Sequence, residues 1–382
     1  MYKHFFIFLA LVILNGSCIE EYTPDVSKNE RLLIVDGGIT NTGGPHTITL
    51  RISGGINDPA TESVLDARVT IEEENGKSVE LTGLGQGRYR TAAEELRGKP
   101  GTEYRLLITW KEEQYESDWM LIKEGPVLDS IYWQRETKEG IDMDLDGIQI
   151  YLDTHDPNNN TRYYRWEFRE DWAFSVPISS SWNPSVCYSN STSSGILIGS
   201  TKKLKQDRLI GQPITFIDQT TTRLTLRYRI IITQHSLTEK EHRYWESMED
   251  LNENLGTLFD PIPARINGNI RNITNPGKEV LGFFTASSIL RDTMYVDNFD
   301  LEYDPIYFES PYSYCSWVQI LGEGKAAEDQ IRSYKRIGWM IADTMRDGLV
   351  LVTTMANSQF CFDCTTAGSK DPPEDWIPFA YH

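Results

Sequence analysis

PHTITLRIS, residues 45–53, places Ile48, Leu50 and Ile52 on one side of an extended chain and Thr47, Thr49 and Arg51 on the other. A period of two marks a half-buried strand, because successive side chains of a strand point to opposite faces. EYRLLITW, residues 103–110, repeats the pattern with Tyr104, Leu106, Ile108 and Trp110 directed inward. Between these two stretches, ARVTIEEE and KSVELT flank Asn75-Gly76, a dipeptide that takes the positive φ angles of a tight hairpin at little cost. From Leu32 to Leu121, seven such runs broken by Gly, Pro and Asn predict an immunoglobulin-like β-sandwich, without the Cys and Trp core marks of antibody domains.

KEGPVLDS, residues 123–130, breaks this rhythm at Gly125-Pro126. The break divides the mature chain into a sandwich over 30–124 and a larger β-rich domain over 127–382, so the fold class is mainly β. In the second part Ile148, Ile150 and Leu152 alternate, as do Tyr164, Trp166 and Phe168, and then Leu224, Leu226, Tyr228, Ile230 and Ile232. One amphipathic helix is predicted from Glu239 to Leu255: Thr238 and Glu241 form a capping box, and Gly256 stands where the helix would stop. Its stripe of Tyr244, Trp245, Met248, Leu251 and Leu255 suits packing on a sheet. Residues 174–195 form a Ser- and Asn-rich insertion, tethered through Cys187. Its Trp182 and Tyr188 are the aromatic side chains that core periodicity leaves free for a partner or glycan.

The chain opens MYKHFFIFLALVILNGSCIEE. Lys3 followed by ten apolar residues, Phe5 to Leu14, is an export signal too short to serve as a permanent membrane helix. Gly16 and Ser17 before Cys18 resemble the lipobox of bacterial lipoproteins, with Asn15 where an aliphatic residue is usual. On that reading residues 1–17 are removed, Cys18 carries the lipid anchor, and 18–29 form an acidic linker. Glu20 and Glu21 look like the acidic signal that sends Bacteroidota lipoproteins to the outer face of the outer membrane.

The formal charge of −19 disfavours nucleic acid, because an acidic surface repels phosphates and releases no counterions. Beyond Cys18 lie Cys187, Cys315, Cys361 and Cys364, an even set that predicts two disulfides in an oxidising compartment with three connectivities open. Cys361-Phe-Asp-Cys364 also has redox or zinc spacing, but lacks the surrounding βαβ pattern or a second ligand pair.

Several segments, in order, resemble the domain-of-unknown-function 4249 family of Bacteroidota lipoproteins. They are LLIVDGGIT, ARVTIEEENG, GRYRT, PVLDSIYW, DPNNNTRYYRWEFRED, HRYWESMEDLNENLGTLFDPIPARINGNI, SILRDTMYV and the closing CFDCTTAGSKDPPEDW. In the last of these, Glu374 and Asp375 stand before Trp376 where fewer charges are expected. The resemblance implies an outer-membrane lipoprotein with an immunoglobulin-like N-terminal domain, often encoded beside a TonB-dependent transporter, and it implies no reaction.

Asp142, Asp144, Asp146 and Asp153 have the oxygen-ligand spacing of a calcium loop, although the strand alternation of 148–152 reads equally as an acidic turn entering a strand. His46, His155, His235 and His242 are scattered, and no HExxH, GxSxG or phosphate-loop motif accompanies them. The sequence therefore points to a surface lipoprotein that binds, without enzymatic chemistry or a cofactor, as an accessory to a TonB-dependent transporter in nutrient capture. A surface adhesive or structural role without transport is the alternative, and a hydrolase whose site assembles only in the fold is a third.

Overall fold

The computed structural model describes residues 31–54, 60–140, 144–254, 266, 268–302 and 312–378. The export signal, Cys18, Glu20, Glu21, Asp142 and Leu255 lie outside the described residues. The protein is mainly β.

The strands of the first third are β1 (Leu33–Thr40), β2 (Thr47–Ile52), β3 (Glu62–Ser63), β4 (Arg68–Glu73), β5 (Ser78–Glu80), β6 (Thr82–Gly83), β7 (Arg88–Arg90), β8 (Glu103–Trp110), β9 (Glu113–Ser117) and β10 (Met120–Leu121). Longer strands follow: β11 (Val127–Lys138), β12 (Leu145–His155), β13 (Tyr163–Ser175), β14 (Val186–Thr192), β15 (Leu197–Ser200), β16 (Arg208–Asp218) and β17 (Arg227–Ser236). Then come α1 (Glu239–Asn254), β18 (Ile270–Asn272), β19 (Val280–Asp297), α2 (Asn298–Glu302), β20 (Trp317–Leu321), α3 (Lys325–Arg336), β21 (Met340–Asp347) and β22 (Val350–Ala356).

The alternation read from sequence is the packing observed. Ile48, Leu50, Ile52, Tyr104, Leu106 and Ile108 are all buried, while Trp110 at the strand end is half-buried, its indole N–H donating to Asp66 at 2.9 Å. The β4–β5 hairpin turns at Asn75-Gly76 with Gly76 at φ 86°, as that dipeptide favours. β17 begins later than its apolar period suggests: Leu224 lies in a 3₁₀ turn, and the ladder starts at Arg227.

The largest sheet among the described residues has ten strands, ordered β14-β13-β17-β19-β1-β2-β7-β6 along its main path. Its spine is β19. The first eight residues of β19 pair in parallel with β1, from Leu33 opposite Val280 to Thr40 opposite Ser287, and the remaining ten pair antiparallel with β17. Gly282 makes the first junction feasible, since at φ 97° a Cβ there would stand 1.8 Å from the Val35 carbonyl oxygen.

Each half of this sheet has its own cover. The β18-β9-β8-β4-β5 sheet packs over β1 and β2, so that Val35, Leu50, Val69, Ile71 and Leu106 share one core. The three-stranded β11-β12-β16 sheet covers the other half, setting Ile148, Ile150 and Leu152 against Trp166, Tyr228, Ile230 and Ile232. Gly125-Pro126 lies between β10, in the first cover, and β11, in the second. The first sandwich, however, is completed from far along the chain, since β18 pairs with β9 and Phe283, Phe284 and Ala286 of β19 enter its core.

Another three-stranded sheet, β20-β22-β21, third after the two covers and so termed the third sheet, carries α3 on one face, where Ile331 and Tyr334 meet Ile320, Met355 and Ile341. The base of its other face rests on Ile178, Phe362 and Cys361.

Candidate functional site

β11 and β12 carry a bulge at Asp129, the residue left without a ladder partner between the pairs Leu128–Thr154 and Ser130–Asp153. A bulge re-aims a side chain. Here both Asp129 carboxylate oxygens lie 2.7 and 2.8 Å from Nδ1 of His155, the last residue of β12. The carboxylate thus holds the imidazole by Nδ1, and Nε2 remains as the ring atom able to contact a ligand. The pair stands at a surface recess of about 320 Å³, lined also by Asp156, Pro157, Asn159, Gln206, Asp207 and Arg208.

The wall of the recess is the DPNNNTRYY segment, and its residue types follow from the turn they build. Asp156 accepts the backbone N–H groups of Asn158, Asn160 and Thr161 at 2.8–2.9 Å. Burial pushes the Asp156 pKa up, but those bonds and the Thr161 hydroxyl outweigh it and hold the carboxyl below its ordinary range. Asn159 and Arg162 sit at φ 56° and 60°, a conformation Asn tolerates well. The Asn159 side chain accepts from the Asp207 N–H, and Asp207 in turn accepts from the Arg162 N–H, the Tyr164 hydroxyl and the Thr201 hydroxyl. The carboxylates of Asp156 and Asp207 are therefore consumed by the loop. His155, Gln206 and Arg208 are left to face a ligand, and none of the eight lining residues is Ser, Thr, Cys or Lys.

The calcium spacing does not assemble. β12 is extended throughout, so Asp146 and Asp153, seven residues apart, are separated by about 23 Å and point to opposite faces. Asp146 accepts instead from Thr137, and Asp153 from the Gly211 N–H and Tyr132 hydroxyl. Asp144 is exposed in the turn ahead of β12.

The four cysteines form Cys187–Cys364 and Cys315–Cys361, with Cα–Cα distances of 5.5 and 5.8 Å. The two members of the Cys361–Cys364 pair thus serve different bridges, not each other. Residues 186–192 of the predicted insertion are strand, because β14 pairs with β13 and brings Cys187 opposite Phe174. Tyr188 is not free: its backbone pairs with Ser369, and its ring meets Trp376 edge-on at 5.6 Å. Trp182 is 57% exposed, in a loop fastened to the third sheet where Ser180 donates to the Ala342 carbonyl and Ser181 to Asp343.

Beneath α1 lies a second polar constellation that the stripe of the helix did not reveal. The Thr238 hydroxyl caps Glu241 N–H at 3.2 Å, but the Glu241 side chain does not return to complete the box. It turns under the helix, where the residue is 1% exposed and Oε2 has no hydrogen-bond partner. Burial pushes its pKa up to about 8, against the pull of the Arg165 guanidinium and the Trp245 indole. Arg165 stacks on Trp245 at 4.3 Å and pairs with Glu167 at 2.5 Å. His235 and Arg165 hold Glu167 down at about 2, while burial lowers the pKa of His235, whose Nδ1 faces Ser287 at 3.1 Å. His46 and His242 are likewise buried and shifted down by desolvation. No group of three or more His, Cys, Asp or Glu side chains among the described residues could hold a metal ion, and no described helix is long and apolar enough to cross a membrane.

These features define a mainly β protein, bridged by two disulfides, with a small polar recess beside a bulged strand pair. The chain belongs to the domain of unknown function (DUF4249) family, whose model matches residues 19–293. The match ends inside β19, ahead of the third sheet and the CFDCTTAGSKDPPEDW ending. A search of curated proteins finds no match. Among solved structures, a "Biofilm associated protein - BSP domain" aligns over 68% of this chain at 8% identity and a TM-score of 0.13. The chain spans 58% of that structure, and similarity at this level carries no inference.

Proposed function

We propose that this chain is a lipoprotein anchored through Cys18 to the outer face of the outer membrane, where it binds a small polar ligand without covalent chemistry as an accessory to a TonB-dependent transporter. The observation that carries the binding reading is the recess. Its carboxylates Asp156 and Asp207 are spent on its own wall, and a histidine fixed by Asp129, with Gln206 and Arg208, remains to orient a guest. Such a site offers directional hydrogen bonds, which give specificity to small-ligand pockets.

Two measurements test the proposal. Cells fed a radioactive fatty acid should label the native protein and leave a Cys18→Ala variant unlabelled. Mild detergent extraction should recover the protein together with a large outer-membrane β-barrel. Recovery of the unaccompanied protein under several detergents would remove the transporter role, and absence of label would remove the anchor.

A further inference from the structure

The recess beside Asp129 holds a cation that the protein itself does not use. His155, the last residue of β12, and Arg208, the first of β16, stand directly opposite each other in the ladder. Their side chains therefore leave the same face, about 5 Å apart at Cβ, and both line the recess. Arg208 is exposed, and no described residue bonds to its guanidinium.

The three carboxylates that line the same space are already engaged. Asp129 is spent on His155, Asp156 on the loop N–H groups, and Asp207 on the Arg162 N–H and two hydroxyls. Behind them, Lys123 donates to the carbonyls of Asn160 and Thr161, where its ammonium is attracted by both Asp156 and Asp207. The Arg162 guanidinium bonds to the carbonyls of Asn159, Thr201 and Leu204. Lys123 and Arg162 thus offset Asp156 and Asp207, the His155 ring takes up Asp129, and the charge of Arg208 is surplus.

The chain leading into Arg208 adds to that surplus. TKKLKQDR, residues 201–208, carries Lys202, Lys203, Lys205 and Arg208 against Asp207 alone, in a chain whose formal charge is −19. Lys202 pairs with Glu239, but Lys203 and Lys205 are exposed and have no partner among the described residues. Lys205 is at most about 11 Å of chain from Arg208, close to one Debye length, so its charge reinforces the field at the recess.

We infer that the recess takes a small anion and holds its carboxylate or phosphate group between the Arg208 guanidinium and Nε2 of His155. The inference rests on the reading of the recess as the ligand site and names the class of ligand. A guanidinium presents a planar fork of N–H donors that matches two oxygens of such a group. An anion at this place also favours the imidazolium form of His155, in which Nε2–H donates and Asp129 balances the ring. A neutral polyol would draw nothing from the surplus charge, and a cation would be repelled by it.

The test uses the full-length, unlipidated Cys18→Ser chain with succinate, inorganic phosphate and neutral succinamide as probes. In equilibrium dialysis with radiolabelled probes, one or both anions should bind. Arg208→Gln should weaken that binding about tenfold or more, the loss of a charge-assisted bidentate contact, and Arg88→Gln on β7 should leave it unchanged. Both arginines are exposed and unpartnered, so circular dichroism should certify the fold of each variant. Phenylglyoxal locates the site: a bound anion should slow modification of Arg208 and spare the exposed Arg88 and Arg90 any change, read by peptide mass spectrometry. Protection by succinate alone would assign a carboxylate ligand, and protection by phosphate alone a phosphate one. Binding of neither anion, binding indifferent to Arg208→Gln, or slowing shared equally by Arg88 and Arg90 would overturn the inference. Succinamide protecting Arg208 as well as succinate does would strike the anionic class and leave the recess as the ligand site, whereas protection by none of the three would count against both.

Discussion

Arg229 of β17 donates to the main-chain carbonyl oxygen of Asp375 at 3.0 Å, 146 positions further along the chain. The same guanidinium reaches the Glu374 carbonyl at 3.1 Å and grips the fully buried Asp171 carboxylate at 2.7 Å. Arg227 adds a bond to the Ile377 carbonyl. The tail before Trp376 is thus read through its backbone, which explains why acidic side chains are accommodated at 374 and 375.

Replacing Arg229 by Met should cost about 3 kcal/mol, because Asp171 would keep only the more exposed Arg169 as a partner for its buried charge. Urea denaturation will measure the loss, and limited proteolysis should cut the chain after residue 370 far faster than in the parent. A tail that stays protected would show that Trp376, packed on Tyr188 and Tyr295, holds it without the arginine.

Glu241 sets the alkaline side of stability. Its folded pKa of about 8 lies above the ordinary 4.5, so its contribution is complete below pH 4.5 and is lost as pH rises through 8. Glu241→Gln should change little near pH 5 and stabilise by on the order of 4 kcal/mol near pH 9, less if water reaches the ionised carboxylate. His235 and His242 act on the opposite side: their folded pKa values lie below 6.5, so their contribution is present above 6.5 and is lost on acidification. Melting temperature against pH should therefore peak at mildly acidic to neutral pH, and a flat alkaline limb in the parent protein would refute the role given to Glu241.

The two bridges close spans of 177 and 46 residues, for which loop entropy gives about 5 and 4 kcal/mol in the chain-entropy model. Peptide mapping without reductant should recover Cys187 joined to Cys364 and Cys315 joined to Cys361. A Cys361–Cys364 linked peptide would contradict the fold around the tail. Cys315→Ala with Cys361→Ala should loosen the third sheet selectively, seen as faster amide exchange in 317–356 than in β13.

Asp156→Ala should destabilise by about 1 to 3 kcal/mol, since three backbone N–H groups, of which that of Thr161 is buried, and the buried Thr161 hydroxyl lose their acceptor. Because that carboxyl titrates below its ordinary value, its contribution is present at neutral pH and is lost as pH falls through the acidic range. Chemical denaturation at two pH values checks both statements.

Local patterns in the sequence carried the strands, because period-two burial depends only on neighbours along the chain, and Ile48, Leu106 and Ile150 sit where that rule puts them. They carried α1 for the same reason, but Glu241 fits both a cap and a buried acid, and only the sheet beneath it decides. Pairing was not legible. Nothing in LLIVDGGIT names β19 as its neighbour, and Asp129 meets His155 only because a bulge turns it out of register. The third sheet escaped notice because β21 (MIADTMRD) and β22 (VLVTTMA) lack a clean apolar–polar alternation and α3 shows only Ala327, Ile331 and Tyr334 as an apolar stripe. The Cys361–Cys364 spacing was ambiguous because connectivity depends on where β14 and the tail meet, which spacing does not encode.

The parallel union of β1 with β19 joins positions 247 apart, counting from 33 to 280. A chain that emerges amino end first must therefore wait, one flank of its earliest core still open, until most of its length has arrived. Folding of the front portion is thereby deferred to the back, and a fragment stopped before residue 280 should remain a sticky, unfinished body and not an independent module.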